Sequence, residues 1–282
     1  MNKVYVKLPK TGLGNLLLVW ARGCVFAHLN DLPLVTSSWW GIRPGPWIRN
    51  EQRKRVYYNY FNESPFISRM MIRFRIKIKK VTYDPELKKL DSLSGNYVFT
   101  QMTNNEELFT HLHPHKKYLK EQLNAIVHSS IRKKLDESDK PIIAVHIRKG
   151  DFKLFHQDTS ISYFVETLRK LRKALNSNLK ATIFSDAGSG ELSEILSEPN
   201  VTMAQPAKDL TDLLLMSEAQ FLIMSKSSSF SYWAAFLGEG YVIKHANDWQ
   251  AQIAEIKARE YRSDAIFDFD LKSFCTYGTD RF

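Results

Sequence analysis

The chain predicts an α/β fold built on a parallel sheet with helices on both faces, and three observations predict it. Beyond residue 141, short apolar runs at 142–147, 181–185, 201–203, 221–224 and 241–243 alternate with helical patterns near 161–176, 190–197, 209–218 and 230–237. The N-terminal part opens in the same order: Val4 to Leu8 alternates like a strand and leads through Thr11-Gly12-Leu13-Gly14-Asn15 into a helical stretch at 16–29. Finally, the run that begins at Ile142 ends in the charged cluster His146-Ile147-Arg148-Lys149-Gly150-Asp151, where an open sheet of this kind gathers its ligands.

Each element has its own grounds. Gly12 and Gly14 permit a tight turn and a close backbone approach between the first strand and the first helix. A second short strand is expected at 34–36, followed by an aromatic loop from Trp39 to Trp47 punctuated by Pro and Gly. From Ile72 to Lys79 apolar and basic residues alternate, placing Ile72, Phe74, Ile76 and Ile78 on one face of an extended strand. Residues 97–99 read as a strand and 113–135 as largely helical. The polar run Asp136 to Lys140, closed by Pro141, marks a junction between a domain at 1–140 and a second at 141–282. There is no internal repeat.

Length and composition set the class. The 282 residues supply ample material for buried cores, and 44% hydrophobic content is globular rather than disordered. No apolar run approaches the ~18 residues of a membrane span, so a cytoplasmic protein is expected. Charge is uneven: residues 1–141 hold 24 Lys+Arg against 12 Asp+Glu, a balance of +12, and the remainder 16 against 18, a balance of −2. The basic segment 69–80 is either a strand with a solvated basic face or a contact for an anionic membrane at its inner surface. No nucleic-acid motif accompanies the charge, so nucleic acid is not an expected partner. Cys24 and Cys275 lack metal-ligand spacing, and Cys24 falls on the apolar face of the first helix as a buried thiol.

The chemistry-bearing residues cluster after strands. Arg148 suits a phosphate, because its planar fork grips two oxygens and never deprotonates; a surface salt bridge closing the strand is the alternative. After the run Phe221 to Met224 come Ser225-Lys226-Ser227-Ser228-Ser229 and the aromatic helix Phe230 to Leu237, ended by Gly238. Small hydroxyl residues at a helix start leave backbone N–H groups pointing outward as an anion site. Phe230 could touch a ligand base, whereas Trp233 reads as core. Asp268-Phe269-Asp270 has the form of a metal-binding DxD, but its place near the C-terminus reads as plain alternation on a strand.

Together, GLGN before a helix, HIRKGD at a strand end, Phe184-Ser185-Asp186 and SKSSSFSYWAAFLG resemble the α-1,2-fucosyltransferases of glycosyltransferase family 11, within the wider group sharing an HxRxxD motif. Lys208 to Ser217 resembles the acidic-Leu-Met-Ser helix that precedes the serine motif in that family. This chain departs from the pattern where Leu16 replaces the Gln of GNQ, Lys149 the second Arg, and Ala187 the second Asp of FSDD. The resemblance implies a GT-B-like fold of two Rossmann-like domains, with the nucleotide sugar held by the C-terminal one. It implies an inverting, metal-independent transfer of L-fucose from GDP-fucose to a glycan acceptor, forming an α-1,2 linkage in surface polysaccharide or O-antigen. Arg148 would meet the charge on the departing phosphate, assisted by Ser227, Ser228 and Ser229. His146 would position phosphate or ribose, or else serve as a structural imidazole. Asp151 would orient Arg148 or take the acceptor proton, with Asp158 and His156 as further bases. Asn15 would align donor or acceptor, and Asp186 would bind ribose or guanine edges or cap a helix. Another nucleotide-activated sugar, a non-catalytic sugar-nucleotide-binding protein and a membrane-docking protein are the alternatives.

Overall fold

A computed structural model of the chain describes residues 2–41, 56–62, 80–102, 107–150, 159–265, 267 and 269. Asp151, His156, Asp158, Cys275 and all of the basic segment except Lys80 lie outside these residues.

Two sheets, parallel throughout, carry the described fold. The first joins β1 (Val4–Val6), β2 (Leu34–Thr36), β3 (Val81–Tyr83) and β4 (Asn96–Phe99) in the order β2-β1-β4-β3. The second joins β5 (Ile143–Ile147), β6 (Ala181–Ser185), β7 (Val201–Met203), β8 (Phe221–Ile223), β9 (Tyr241–Lys244) and β10 (Glu260–Arg262) in the order β10-β9-β8-β5-β6-β7. From β5 the chain therefore winds outward through β6 and β7, then returns to lay β8 against the other side of β5. The strand order reverses between β5 and β8, and such a switch point opens a crevice at the carboxyl ends of the strands.

Period-two alternation in β5 sends Ile143, Val145 and Ile147 to one face, where they pack with Phe164, Leu168 and Leu171 of α4 (Ile161–Ala174). Ala144 faces the other side and joins a core that includes α6 (Asp209–Ser217), α7 (Ser229–Leu237) and α1 (Leu13–Leu29). That core is continuous with the face of the first sheet that holds Val4, Val6 and Phe99. Helix α1 lies between the first sheet and α7, so every residue from Leu13 to Ala27 is buried except Asn15. Cys24 is among the buried ones, and burial pushes its thiol pKa well above the ordinary range. No described helix is long and apolar enough to cross a membrane.

Local chemistry explains where elements start and stop. Ser160 caps α4 by accepting the Tyr163 N–H (3.3 Å). The helical stretch expected at 113–135 is instead two α-helices, α2 (Lys116–Ile126) and α3 (Ser129–Asp136), after a short 3-10 turn. No Gly or Pro breaks them. The Asn62 N–H donates to the Ile126 carbonyl (2.6 Å) and the His128 N–H to the Tyr60 carbonyl (3.0 Å), so tertiary pairing takes groups the helix would have used. His128 Nδ1 then caps α3 by accepting the Ser130 N–H (3.1 Å). The remaining helix, α5 (Ser193–Leu196), is a single turn.

Candidate functional site

The crevice is assembled from four strand ends. Pairing between β5 and β8 extends as far as Val145 opposite Ile223, and beyond it a side chain continues the ladder. The fully buried Ser225 donates its hydroxyl to the His146 carbonyl (2.8 Å) and accepts the Arg148 N–H (2.8 Å). The strands are thereby stitched as they part, and Arg148 emerges one residue past β5.

Asp186, one residue past β6, receives that arginine. Arg148 Nη1 lies 2.7 Å from Asp186 Oδ2, while Asp186 Oδ1 accepts the Lys149 N–H (2.8 Å) and the Gly150 N–H (3.3 Å). A Cβ at residue 150 would strike the same carboxylate, so a larger residue there would have to displace Asp186 from Arg148. The sequence suggested ribose or guanine edges for Asp186. In the structure its two oxygens hold Arg148 and the strand-end N–H groups, because parallel pairing of β5 with β6 sets the two strand ends side by side. The Arg148 side chain keeps 23% of its exposure, so the guanidinium is oriented yet open to the crevice.

Lys149 turns away from the crevice. It is 7% exposed, and its ammonium donates to the Thr159 carbonyl (2.7 Å). Thr159 Oγ1 accepts the Lys226 N–H (3.2 Å), tying this strut to the serine loop.

The serine loop forms the opposite wall. Ser228 occupies the N-cap of α7 without a side-chain capping bond, and the Tyr232 N–H to Ser228 carbonyl bond (3.0 Å) opens the helix ladder. The N–H groups of Ser229, Phe230 and Ser231 therefore have no partner within the helix. His146 points to this side, sharing its face of β5 with Ala144. Its Nδ1 is 2.5 Å from Ser231 Oγ, and its ring stands 5.2 Å from that of Phe230. Phe230 is half-buried, and Trp233 is fully buried, as its core reading requires.

The N-terminal loop closes onto the same point. Ser229 Oγ donates to Asn15 Oδ1 (2.6 Å), and Trp233 Nε1 donates to the Gly14 carbonyl (2.8 Å). A Cβ on Gly14 would sit 2.7 Å from Ser229 backbone carbon and 2.8 Å from Phe230 nitrogen, so only glycine lets the two helix starts approach this closely. Neither α1 nor α7 has an acidic residue in its first turn. Two helix N-termini thus meet beside Arg148 and Lys226, and each carries a partial positive charge. Burial first and Lys226 second hold the pKa of His245 below the ordinary imidazole value. The assembly suits a ligand carrying concentrated negative charge.

Of the residues singled out in the sequence, Asn15, His146, Arg148, Asp186, Ser227, Ser228, Ser229 and Phe230 gather around this crevice. Ser225, Ser231 and Thr159 were not singled out. The two serines lie inside motifs already read for their neighbours, and Thr159 has no local signal. Among the described residues no group of three or more His, Cys, Asp or Glu side chains is placed to hold a metal ion.

A parallel two-sheet architecture with such a crevice is that of the GT-B-like glycosyltransferases, and comparison with solved structures agrees. The NodZ α-1,6-fucosyltransferase soaked with GDP-fucose superimposes with a TM-score of 0.55 at 18% identity, covering 89% of this chain and 98% of its own. NodZ from Bradyrhizobium in a second crystal gives 0.54 at 16%, covering 89% and 97%. POFUT1 in complex with GDP gives 0.52 at 12%, covering 94% and 98%. A point mutant of Arabidopsis thaliana FUT1 in complex with GDP gives 0.51 at 14%, covering 86% and 70%. Comparison with curated protein sequences yields no match. The model of glycosyl transferase family 11 matches residues 65–267, and the chain belongs to that family. It is a glycosyltransferase.

Proposed function

We propose that this enzyme transfers L-fucose from GDP-fucose to a glycan hydroxyl with inversion, forming an α-1,2 linkage. The observation that carries the reading is the Arg148–Asp186 pair, held at the switch point opposite the open N-terminus of α7. The acceptor oxygen attacks the anomeric carbon, the bond from that carbon to the β-phosphate oxygen breaks, and GDP leaves with the bonding pair. Negative charge grows on the leaving phosphate, where Arg148 and the first N–H groups of α7 meet it. Preorganised donors of this kind commonly supply the largest share of catalysis. Because the arginine and the helix starts provide that positive charge, the transfer is assigned to proceed without a divalent ion.

Asp186 keeps the guanidinium in one orientation, His146 supports the first turn of α7 through Ser231, and Asn15 aligns the substrates from the N-terminal side. The acceptor proton passes to a base on the face opposite the leaving group, for which Asp158 and His156 are the candidates from the sequence alone, while Asp151 is assigned to orient Arg148. The GDP and GDP-fucose complexes of the structural neighbours support the donor. The linkage rests on the family resemblance, since one neighbour is an α-1,6 enzyme. Membrane proximity is proposed on the basic segment 69–80, and a surface-polysaccharide or O-antigen acceptor on the family resemblance alone.

The test is incubation with GDP-fucose and galactose-terminated oligosaccharides in EDTA, with the product linkage read by NMR. An α-1,2 product is expected. Transfer through a different hydroxyl would overturn the linkage, and transfer from another nucleotide sugar alone would overturn the donor.

A further inference from the structure

The loop that presents the serine hydroxyls is held in an unfavourable shape by a carboxylate outside the family motifs. Ser227 has φ +57, a left-handed conformation that costs a non-glycine residue free energy unless its surroundings impose it. The constraint comes from Asp248, in the loop after β9 and 7% exposed. Its Oδ2 accepts the Ser227 N–H (3.2 Å), and its Oδ1 accepts the Tyr232 hydroxyl (2.7 Å) and the Gln250 N–H (3.0 Å). Tyr232 is itself buried within α7, one turn past the N-cap. A single carboxylate therefore ties the turn before the helix, the body of the helix and the neighbouring strand loop into one unit.

The arrangement also resolves an electrostatic conflict. A carboxylate near an anion site opposes the ligand, yet this one is turned inward and its two oxygens accept three hydrogen bonds. Burial first, and Asp248 second, raise the Tyr232 phenol above its ordinary pKa, so the phenol remains a donor. With its N–H directed at Asp248, Ser227 leaves Ser228 to begin the helix and the next three N–H groups to face the crevice.

We infer that Asp248 is a positioning residue for donor binding, locking Ser227 in its left-handed turn so that the start of α7 is preformed before the donor arrives. The inference rests on the donor reading proposed above. Glycine at 227 adopts the same turn without strain, so it should make the carboxylate dispensable. That gives a rescue which a merely structural Asp248 would not show.

The experiment compares wild type, Asp248→Ala, Ser227→Gly and the double variant by calorimetric titration with GDP. Hydrogen exchange of the segment 225–232 is followed in the free proteins. Asp248→Ala should weaken GDP binding by about tenfold, the scale of one strained residue, and speed exchange in that segment. The double variant should recover to within about threefold of Ser227→Gly alone, a gap of ~0.65 kcal/mol. Wild-type affinity in Asp248→Ala would overturn the inference, as would a double variant no better than Asp248→Ala. If Asp248→Ala does not fold, Tyr232→Phe removes one partner of the carboxylate and should show a smaller loss, again rescued by Ser227→Gly; no loss, or no rescue, would overturn it. If wild type binds no GDP, the donor reading falls, and exchange alone decides the clamp: unchanged exchange in Asp248→Ala would overturn it.

Discussion

Two of the ion pairs at strand ends of the second sheet do opposite work. Lys244, at the end of β9, pairs with Glu260 of β10, their side chains only 6% and 5% exposed. The ammonium also donates to the Gln250 and Ala251 carbonyls (2.8 and 3.0 Å), and the carboxylate accepts the Ile253 and Ala254 N–H groups (2.8 and 2.9 Å). Every further bond of that pair goes to backbone, so it fastens the 248–262 loop and offers nothing to a ligand. Arg148 and Asp186 use the same chemistry two strands away from β9, but they are 23% and 13% exposed. There the carboxylate accepts the Lys149 and Gly150 N–H groups, and the cation is more exposed than that of Lys244 and stands at the crevice. The difference teaches that a strand-end ion pair becomes a site when its cation, rather than its anion, is left accessible.

The comparison can be broken by exchanging the losses. Arg148→Ala should reduce kcat by about 10²–10³-fold, as removal of a donor to developing charge does elsewhere, with thermal stability near wild type. A steady-state assay beside a melting curve checks both. Lys244→Ala should do the reverse: it strands the buried Glu260 and costs about 3–5 kcal/mol, read by denaturant unfolding. Asp186→Asn keeps an acceptor for the strand-end N–H groups but loses the charge that aims Arg148. About tenfold lower kcat/KM is expected, ~1.4 kcal/mol. The smallest effect concerns acid. The folded-state pKa of His245 is depressed, so below about pH 6.5 the unfolded chain takes up a proton that the folded one does not. Stability should therefore fall as pH drops through that value toward the folded pKa, and His245→Gln should flatten the slope in melting curves between pH 5 and 7.

The sequence carried this distinction only in part. Arg148 was legible because it ends an apolar run that could only be a buried strand, and the serine loop for the same reason. The switch point between them was not, since strand order is set by tertiary pairing. Strand β10 was hidden because Glu260 and Arg262 read as solvent-facing, whereas burial of Glu260 is compensated by Lys244. Strand β3 was hidden for a related reason: residues 81–83 are half-buried or exposed at a sheet edge, and no apolar pattern marks them. Asp186 was found by position, yet its partner depends on β5 and β6 lying side by side. Asp248 gave no signal, because a carboxylate in a polar loop looks the same whether it faces water or holds a turn.

The most direct test of the central claim is titration of wild type and Arg148→Ala with GDP, UDP and ADP in EDTA, followed by calorimetry. Selective binding of GDP by wild type, lost or weakened at least tenfold in Arg148→Ala, is the predicted result. Equal binding of GDP by both proteins would contradict the assignment of Arg148 to the leaving phosphate.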